Sequence, residues 1–396
     1  MKMFKASSEK DWCSLEMQPD DTDEVKNQVM TSQNRLKEFL LASLQMQHVV
    51  VLSGCGTSLG NVGGPSMRDL WAAAVYRGDV FEFEPDNSAK ETAKKIGFDI
   101  TNENIEEFLS RIEVYLQINN DNEISDFLKS CKAIILEKCS SFLKVENLEA
   151  HRSFLHRLSR RRTRDSRLKI FTTNYDLCFE KAASELGSVA LNGFSFTTPR
   201  RYDSRFFEYD IVRRSGKNGE ASSYLEGVFL LYKLHGSVNW ERMSGGAIIE
   251  KENPDPENAC IIYPAQGKYQ QSYIQPYLEA ISQYLAALRE PNTCVVVTGL
   301  GFNDNHISEP LLAAVQSNPH LRLIVADPCA QKNDTNEENV EVNNYWKTLF
   351  ELGEKGADIC FLNASFEQFA HLIPDLTALT PSGQLMKAVQ GVAKEG

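Results

Sequence analysis

The chain has 396 residues, 42% of them hydrophobic, enough for one large domain or two of ordinary size. Its formal net charge of −12 argues against a general nucleic-acid binder. Nine cysteines form no Cys-x-x-Cys pair, which argues against a zinc ribbon; several of them (Cys55, Cys178, Cys294, Cys360) sit in apolar segments, as expected of reduced thiols in a cytoplasmic protein. The stretch from Met1 to Glu24 is polar and acidic with no apolar signal core, and no apolar run approaches membrane-spanning length. A soluble protein is expected.

In chain order, residues 1–21 read as a loosely ordered arm, and residues 22–46 carry helical spacing in Val25, Val29, Leu36, Phe39, Leu40 and Leu44. The run from His48 to Ser53 predicts a buried parallel strand. A glycine-rich turn follows it, then a helix from Ser66 to Tyr76. Residues 77–165 change character: they are charged, helical in period and poor in strand signals, with helices expected over Ile105–Gln117, Glu123–Phe142 and Leu148–Arg162. They read as a helical module inserted after the first core strand. The α/β pattern resumes with strands at Leu168–Thr173, Val228–Leu234, Thr293–Thr298, Leu321–Ala326 and Asp358–Leu362. Helices are expected at 175–186, Gln275–Arg289, 306–317 and Ser365–Leu372, a hairpin with a surface loop at 241–258, and short strands within 188–226.

The fold class that follows is α/β, a Rossmann-like parallel sheet flanked by helices with an inserted helical module. It divides the chain into an N-terminal arm and helix (1–47), a nucleotide-binding domain (48–76 and 166–375), the insertion (77–165) and a C-terminal tail (376–396).

Four short segments stand where core strands end: Ser53-Gly54-Cys55-Gly56-Thr57-Ser58, Thr172-Thr173-Asn174-Tyr175-Asp176, Lys233-Leu234-His235-Gly236-Ser237 and Gly299-Leu300-Gly301-Phe302-Asn303-Asp304. Ligands of open parallel sheets bind at such ends, so the four imply one shared site. Gly54 and Gly56 permit close backbone approach, and Thr57 and Ser58 add hydroxyl donors, a pattern suited to a pyrophosphate or simply to a tight strand-to-helix turn. No Gly-Lys-Ser/Thr follows, so this is no Walker loop, and the strict GxGxxG with a nearby ribose acid is also missing. Asn174 offers a donor and an acceptor. Asp176 either reaches the site or caps a helix. His235 can take a proton near neutral pH or serve structure alone. Asp304 and His306 lie near a helix start, and Asp327 suits a ribose hydroxyl or a turn with Pro328. Arg157, Arg160, Arg161, Arg162, Arg164 and Arg167 form a basic cluster, read either as a helix end whose cations favour the dipole or as a contact for an acidic partner chain or nucleic acid.

Taken in order, these segments resemble the sirtuin family, the silent-information-regulator-type NAD-dependent proteins. The resemblance rests on the glycine loop at 54–58, Thr172-Thr173-Asn174-Tyr175-Asp176, His235-Gly236, and Gly299-Leu300-Gly301-Phe302-Asn303-Asp304-Asn305-His306-Ile307, with Pro65-Ser66-Met67-Arg68 in the place of the family's Pro-Asp-Phe-Arg. It covers about residues 48–75 and 168–330. The deacylases of the family carry two Cys-x-x-Cys pairs after the catalytic histidine; this chain has none. With its helical insertion and Leu234-His235-Gly236-Ser237-Val238-Asn239-Trp240, it looks like the bacterial sirtuin-like effectors of anti-phage defence, which hydrolyse NAD.

By this resemblance NAD is the substrate and no zinc is expected. Gly54, Gly56, Thr57 and Ser58 would hold the pyrophosphate, and Arg68 would face the nicotinamide ribose or a phosphate. Asp176 would meet the carboxamide, and Gly299, Asn303 and Asp327 the adenosine half. Asn174 would orient the ribose or the attacking water, and His235 would take the proton. The resemblance also implies a homo-oligomer and, for some relatives, a DNA-translocating hexameric ATPase partner. Two other readings stand beside NAD hydrolysis: a NAD-dependent protein deacylase or ADP-ribosyltransferase, and a non-catalytic subunit that senses NAD or ADP-ribose.

Overall fold

A computed structural model describes residues 3–6, 11–76, 84–162, 165–213, 223–263, 274–335 and 343–376. The strands are β1 (Met3–Ala6), β2 (Cys13–Ser14), β3 (His48–Ser53), β4 (Leu168–Thr172), β5 (Val189–Leu191), β6 (Val212–Arg213), β7 (Ser223–Tyr224), β8 (Val228–Lys233), β9 (Gly236–Arg242), β10 (Ile248–Glu250), β11 (Ala259–Ile261), β12 (Thr293–Thr298), β13 (Leu321–Asp327) and β14 (Ile359–Asn363).

Alternation explains the central strands. In β3, Val49 and Val51 join one buried core while Val50 and Leu52 join the other, because successive side chains of a strand leave on opposite faces. Both faces being apolar, such a strand reads as a continuous hydrophobic run and takes helices on both sides. The main sheet has the order β2-β1-β14-β13-β12-β3-β4-β8-β5. Every pairing from β14 to β5 is parallel. The chain runs from β3 to β4, on to β5 at the far edge and back to β8 between them, then crosses to β12 on the other side of β3 and runs outward through β13 and β14. The strand order therefore reverses between β3 and β12, and the crevice outside their carboxyl ends is where an open α/β sheet binds its ligand.

The α/β architecture expected from the sequence is thus present. The N-terminal arm differs from its reading: Met3–Ala6 pairs antiparallel with β14 and extends the sheet. A four-residue strand is too short to show alternation, so only its tertiary partner reveals it.

The insertion holds the helices Asn87–Ile96, Ile105–Ile118 and Asn122–Ser141. Together with Leu70, Trp71, Ala74 and Val75 they build a separate apolar core around Phe98, Phe108 and Phe127, and this core extends onto Val238 and Ile261 of a small antiparallel sheet β10-β9-β11. The Trp71 and Phe108 rings meet edge-on with centroids 5.5 Å apart. The helix Glu149–Leu158, assigned to the insertion from its sequence, packs elsewhere: Leu148, Phe154, Leu155 and Leu158 belong to the core beneath the main sheet.

Four arginines of the basic cluster are engaged within the protein. Arg157 donates to the carbonyls of Ala370 and His371 at 3.0 and 3.1 Å, and Arg161 to those of Leu44 and Ser166 at 3.0 and 2.8 Å. The Leu44, Ala370 and His371 carbonyls stand at helix ends, where they lack intrahelical partners, whereas Ser166 lies just ahead of β4. Arg162 pairs with Asp165 and Arg167 with Asp210. Arg164 and residues 377–396 of the tail lie outside the described residues. Among the described residues no helix is long and apolar enough to cross a membrane.

Candidate functional site

Four strand ends converge on the crevice. The loop after β3 and the loop after β12 pack backbone against backbone: Gly54 N–H donates to the Thr298 carbonyl at 3.1 Å and Gly56 N–H to the Gly299 carbonyl at 2.9 Å. Side chains would prevent this. A Cβ on Gly54 would lie 2.6 Å from the Gly299 oxygen, and one on Gly299, which has φ +63°, would lie 2.5 Å from the Thr57 nitrogen. Gly236 does comparable work at the end of β8. Its φ of +86° lets the chain turn directly from His235 into β9, and a Cβ there would collide with the Cys260 carbonyl.

Asn174 ties two strand ends together. Its side-chain amide donates to the hydroxyls of Thr57 and Ser58, each at 3.0 Å. Thr57 donates in turn to the Gly54 carbonyl at 2.9 Å, and Ser58 to Asp176 at 2.7 Å. The other oxygen of Asp176 accepts the Cys178 N–H at 3.0 Å, starting the helix Cys178–Glu185. Both carboxylate oxygens are therefore engaged inside the protein, one of them on the first N–H of that helix, while the residue also borders the cavity described below. The two hydroxyls likewise face Asn174 and the loop itself. What remains of Asn174 is its side-chain oxygen, which takes no hydrogen-bond donor from the described residues, an acceptor for a hydroxyl or a water.

Beneath this network Lys233 holds the loop from below. Its ammonium donates to the carbonyls of Tyr175 and Asp176 and pairs with Glu180 at 3.1 Å. Burial pushes the Glu180 carboxyl up, and Lys233 offsets part of that rise.

His235 is 2% exposed, and its Nε2 lies 3.0 Å from Nε2 of His306. Its backbone carbonyl accepts the Ile262 N–H at 2.9 Å, so the ring is carried on a fixed main chain.

Two cavities meet at the glycine loop. The first, about 590 Å³, is lined by Asn174, Asp176, His235, Ser58 and the 299–304 loop, and its far wall comes from the insertion through Glu103, Ile105, Glu106, Cys139 and Phe142. The second, about 700 Å³, is lined by Gly56, Thr57, Asn61, Glu149, Asp327 and Glu367. Cys55, Gly299 and Gly301 border both. Burial raises the Asp327 carboxyl, which also accepts the Cys329 N–H at 2.7 Å.

The site residues expected from the sequence fall as follows. Asn174, His235, Asp176, Ser58, Gly299 and Asn303 line the first cavity, and Gly56, Thr57, Gly299 and Asp327 the second. Gly54 lines neither and acts through its fit against Gly299. Asn303 is thus apart from Asp327, with which the sequence grouped it. Arg68 borders neither cavity; its side chain is 82% exposed and pairs with Glu103 at 3.5 Å. The sequence reading missed the contribution of the insertion, since which of its faces meets the sheet is a tertiary matter. It noted His306 but gave it no role, although Asp304-Asn305-His306 at a strand end carried that signal. Among the described residues no three His, Cys, Asp or Glu side chains converge as a metal site.

Residues 168–349 match the model of the SIR2-like domain family. Solved structures similar to this chain include a Sir2 homologue in complex with NAD, with 12% identity over 87% of this chain and 94% of that one and a TM-score of 0.44. A mutant Sir2 homologue in complex with ADP-ribose shows 14% identity over 80% of this chain and 94% of its own, at a TM-score of 0.36. No curated protein sequence matches the chain.

Proposed function

We propose that this protein is a NAD⁺ glycohydrolase, splitting NAD⁺ and water into nicotinamide and ADP-ribose. The observation that carries the reading is the placement of Asn174 and His235 in one cavity that meets a second across a waist of glycines. A dinucleotide has this form: two bulky ends and a pyrophosphate between them. The SIR2-like domain match and the motif order support NAD⁺ as that dinucleotide.

The chemistry follows from the charges. Nicotinamide leaves NAD⁺ as a neutral base, so its departure needs no acid; the ribose it leaves becomes oxocarbenium-like. Glu103, Glu106, Asp176 and Asp304 line the first cavity, and a field of carboxylates favours that developing cation over the ground state. Water then attacks the anomeric carbon. The Asn174 side-chain oxygen orients the water or a ribose hydroxyl, and His235 removes the proton. The insertion contributes part of the wall of the first cavity, which leaves less room for a peptide-borne nucleophile than for water.

The experiment is chromatography of NAD⁺ incubated with wild-type protein and with His235→Ala, with and without an acetylated peptide. Nicotinamide and ADP-ribose formed without peptide, and lost in His235→Ala, is the expected result. Turnover that requires the peptide would replace this reading with a deacylase, and NAD⁺ bound but never consumed would replace it with a sensor.

We further read the activity as that of a bacterial anti-phage effector that depletes NAD⁺, working as a homo-oligomer with a DNA-translocating ATPase. The support is the motif order, the missing Cys-x-x-Cys pairs and the helical insertion. Loss of protection against phage in cells carrying His235→Ala tests it.

A further inference from the structure

We propose that His306 is the positioning residue of His235 and the acceptor of the proton that His235 removes; this rests on the hydrolase reading above. The ring nitrogens Nε2 of the two histidines lie 3.0 Å apart, and the rings are 5.1 Å apart at their centroids. A hydrogen bond between two Nε2 atoms requires one N–H and one lone pair. His235 as donor is the tautomer with its proton on Nε2, leaving Nδ1 basic. His306 as acceptor then carries its own proton on Nδ1. In this tautomer Nδ1 is the nitrogen of His235 that acts as the base.

Burial gives the pair a direction. His235 is 2% exposed, and a full positive charge held there is costly. His306 is only half-buried, in the first turn of the helix Asn305–Ser317, and Asp304 just ahead of it borders the same cavity. As water attacks, its O–H bond breaks with the electron pair left on oxygen, and an Nδ1–H bond forms on His235. The Nε2–H bond of His235 breaks and an Nε2–H bond forms on His306. His235 ends neutral in the opposite tautomer, and the charge rests on the more exposed ring beside Asp304.

The test uses the full-length protein and two substitutions, His306→Ala and His306→Gln. Both are expected to lower kcat for NAD⁺ by about 100-fold with KM little changed, the scale of a lost proton-transfer partner. Added imidazole is expected to restore turnover in His306→Ala, where the vacated space admits it. A purely structural role would give no such rescue, so a folded His306→Ala protein with wild-type kcat, or an impaired one that imidazole leaves unchanged, overturns the proposal. Nitrogen-15 NMR of histidine-labelled protein reads the pair without catalysis. His235 protonated at Nε2 in wild type, with the tautomer mixture shifting in His306→Ala, is expected even if NAD⁺ is not the substrate. His235 protonated at Nδ1 in the resting protein overturns the relay independently of the substrate.

Discussion

The ammonium of Lys233 lies 3.1 Å from the carboxylate of Glu180, with 1% of the lysine side chain exposed. The pair stands one turn below the loop that carries Asn174, and Lys233 also binds two carbonyls of that loop. Removing one member leaves the other charged without its partner, at a cost of about 3–5 kcal/mol. Lys233→Met should therefore destabilise the fold by that amount in urea titration, and Lys233→Met with Glu180→Leu should recover part of it. Equal losses in the single and double variants would show that the carbonyl contacts, and not the ion pair, set the cost.

His151 predicts a pH dependence of stability. It is fully buried against Phe179 and Phe366, and among the described residues neither ring nitrogen has a hydrogen-bond partner. Burial lowers its pKa from 6.5 to about 4. Below pH 6.5 the unfolded chain takes up a proton that the folded protein refuses, so stability is full above that pH and falls as the pH drops towards 4. The loss is about 3 kcal/mol, at about 1.4 kcal/mol for each tenfold difference in proton affinity. His151→Leu should flatten this acid limb in denaturation midpoints measured from pH 7 to 4; an unchanged slope assigns the limb to other groups.

Gly299→Ala is predicted to damage fold and site together. The added methyl meets the Thr57 nitrogen and forces a left-handed φ on alanine, a strain of about 1–3 kcal/mol. Calorimetric titration should show NAD⁺ affinity falling more than stability alone explains, because the waist between the cavities must open. Wild-type affinity in the variant would mean that the waist does not touch the ligand.

Asn174→Ala deprives the Thr57 and Ser58 hydroxyls of their donor and removes the acceptor left for substrate. Turnover should fall by at least about 100-fold, with a loss of about 1–2 kcal/mol in stability and an unchanged circular dichroism spectrum. Activity within a few-fold of wild type would restrict Asn174 to tying the two loops together.

The strands that carry the site were legible because their apolar runs are long enough to count and each breaks sharply into polar or glycine residues; β3 and β12 end where the pattern places them, and β4 and β8 one residue earlier. The convergence of Asn174 and His235 followed from topology alone. Less legible was the direction of side chains. Thr57, Ser58 and Asp176 have the chemistry of ligand contacts, yet their hydrogen bonds go to Asn174, to the loop and to a helix start, a choice made by neighbours far off in sequence. The same holds for Arg68, which turns outward to Glu103, and for Arg157 and Arg161, each of which donates to a carbonyl more than a hundred residues away. Periodicity gave the helix Glu149–Leu158 but not which core it joins.

The first cavity is bounded on one side by the main sheet and on the other by an insertion with its own apolar core. Its width is set by how two separately packed bodies seat against each other, and the residues that make that seat are not those that break the bond. The shape of the chamber and the groups that react in it are thereby drawn from different stretches of one chain.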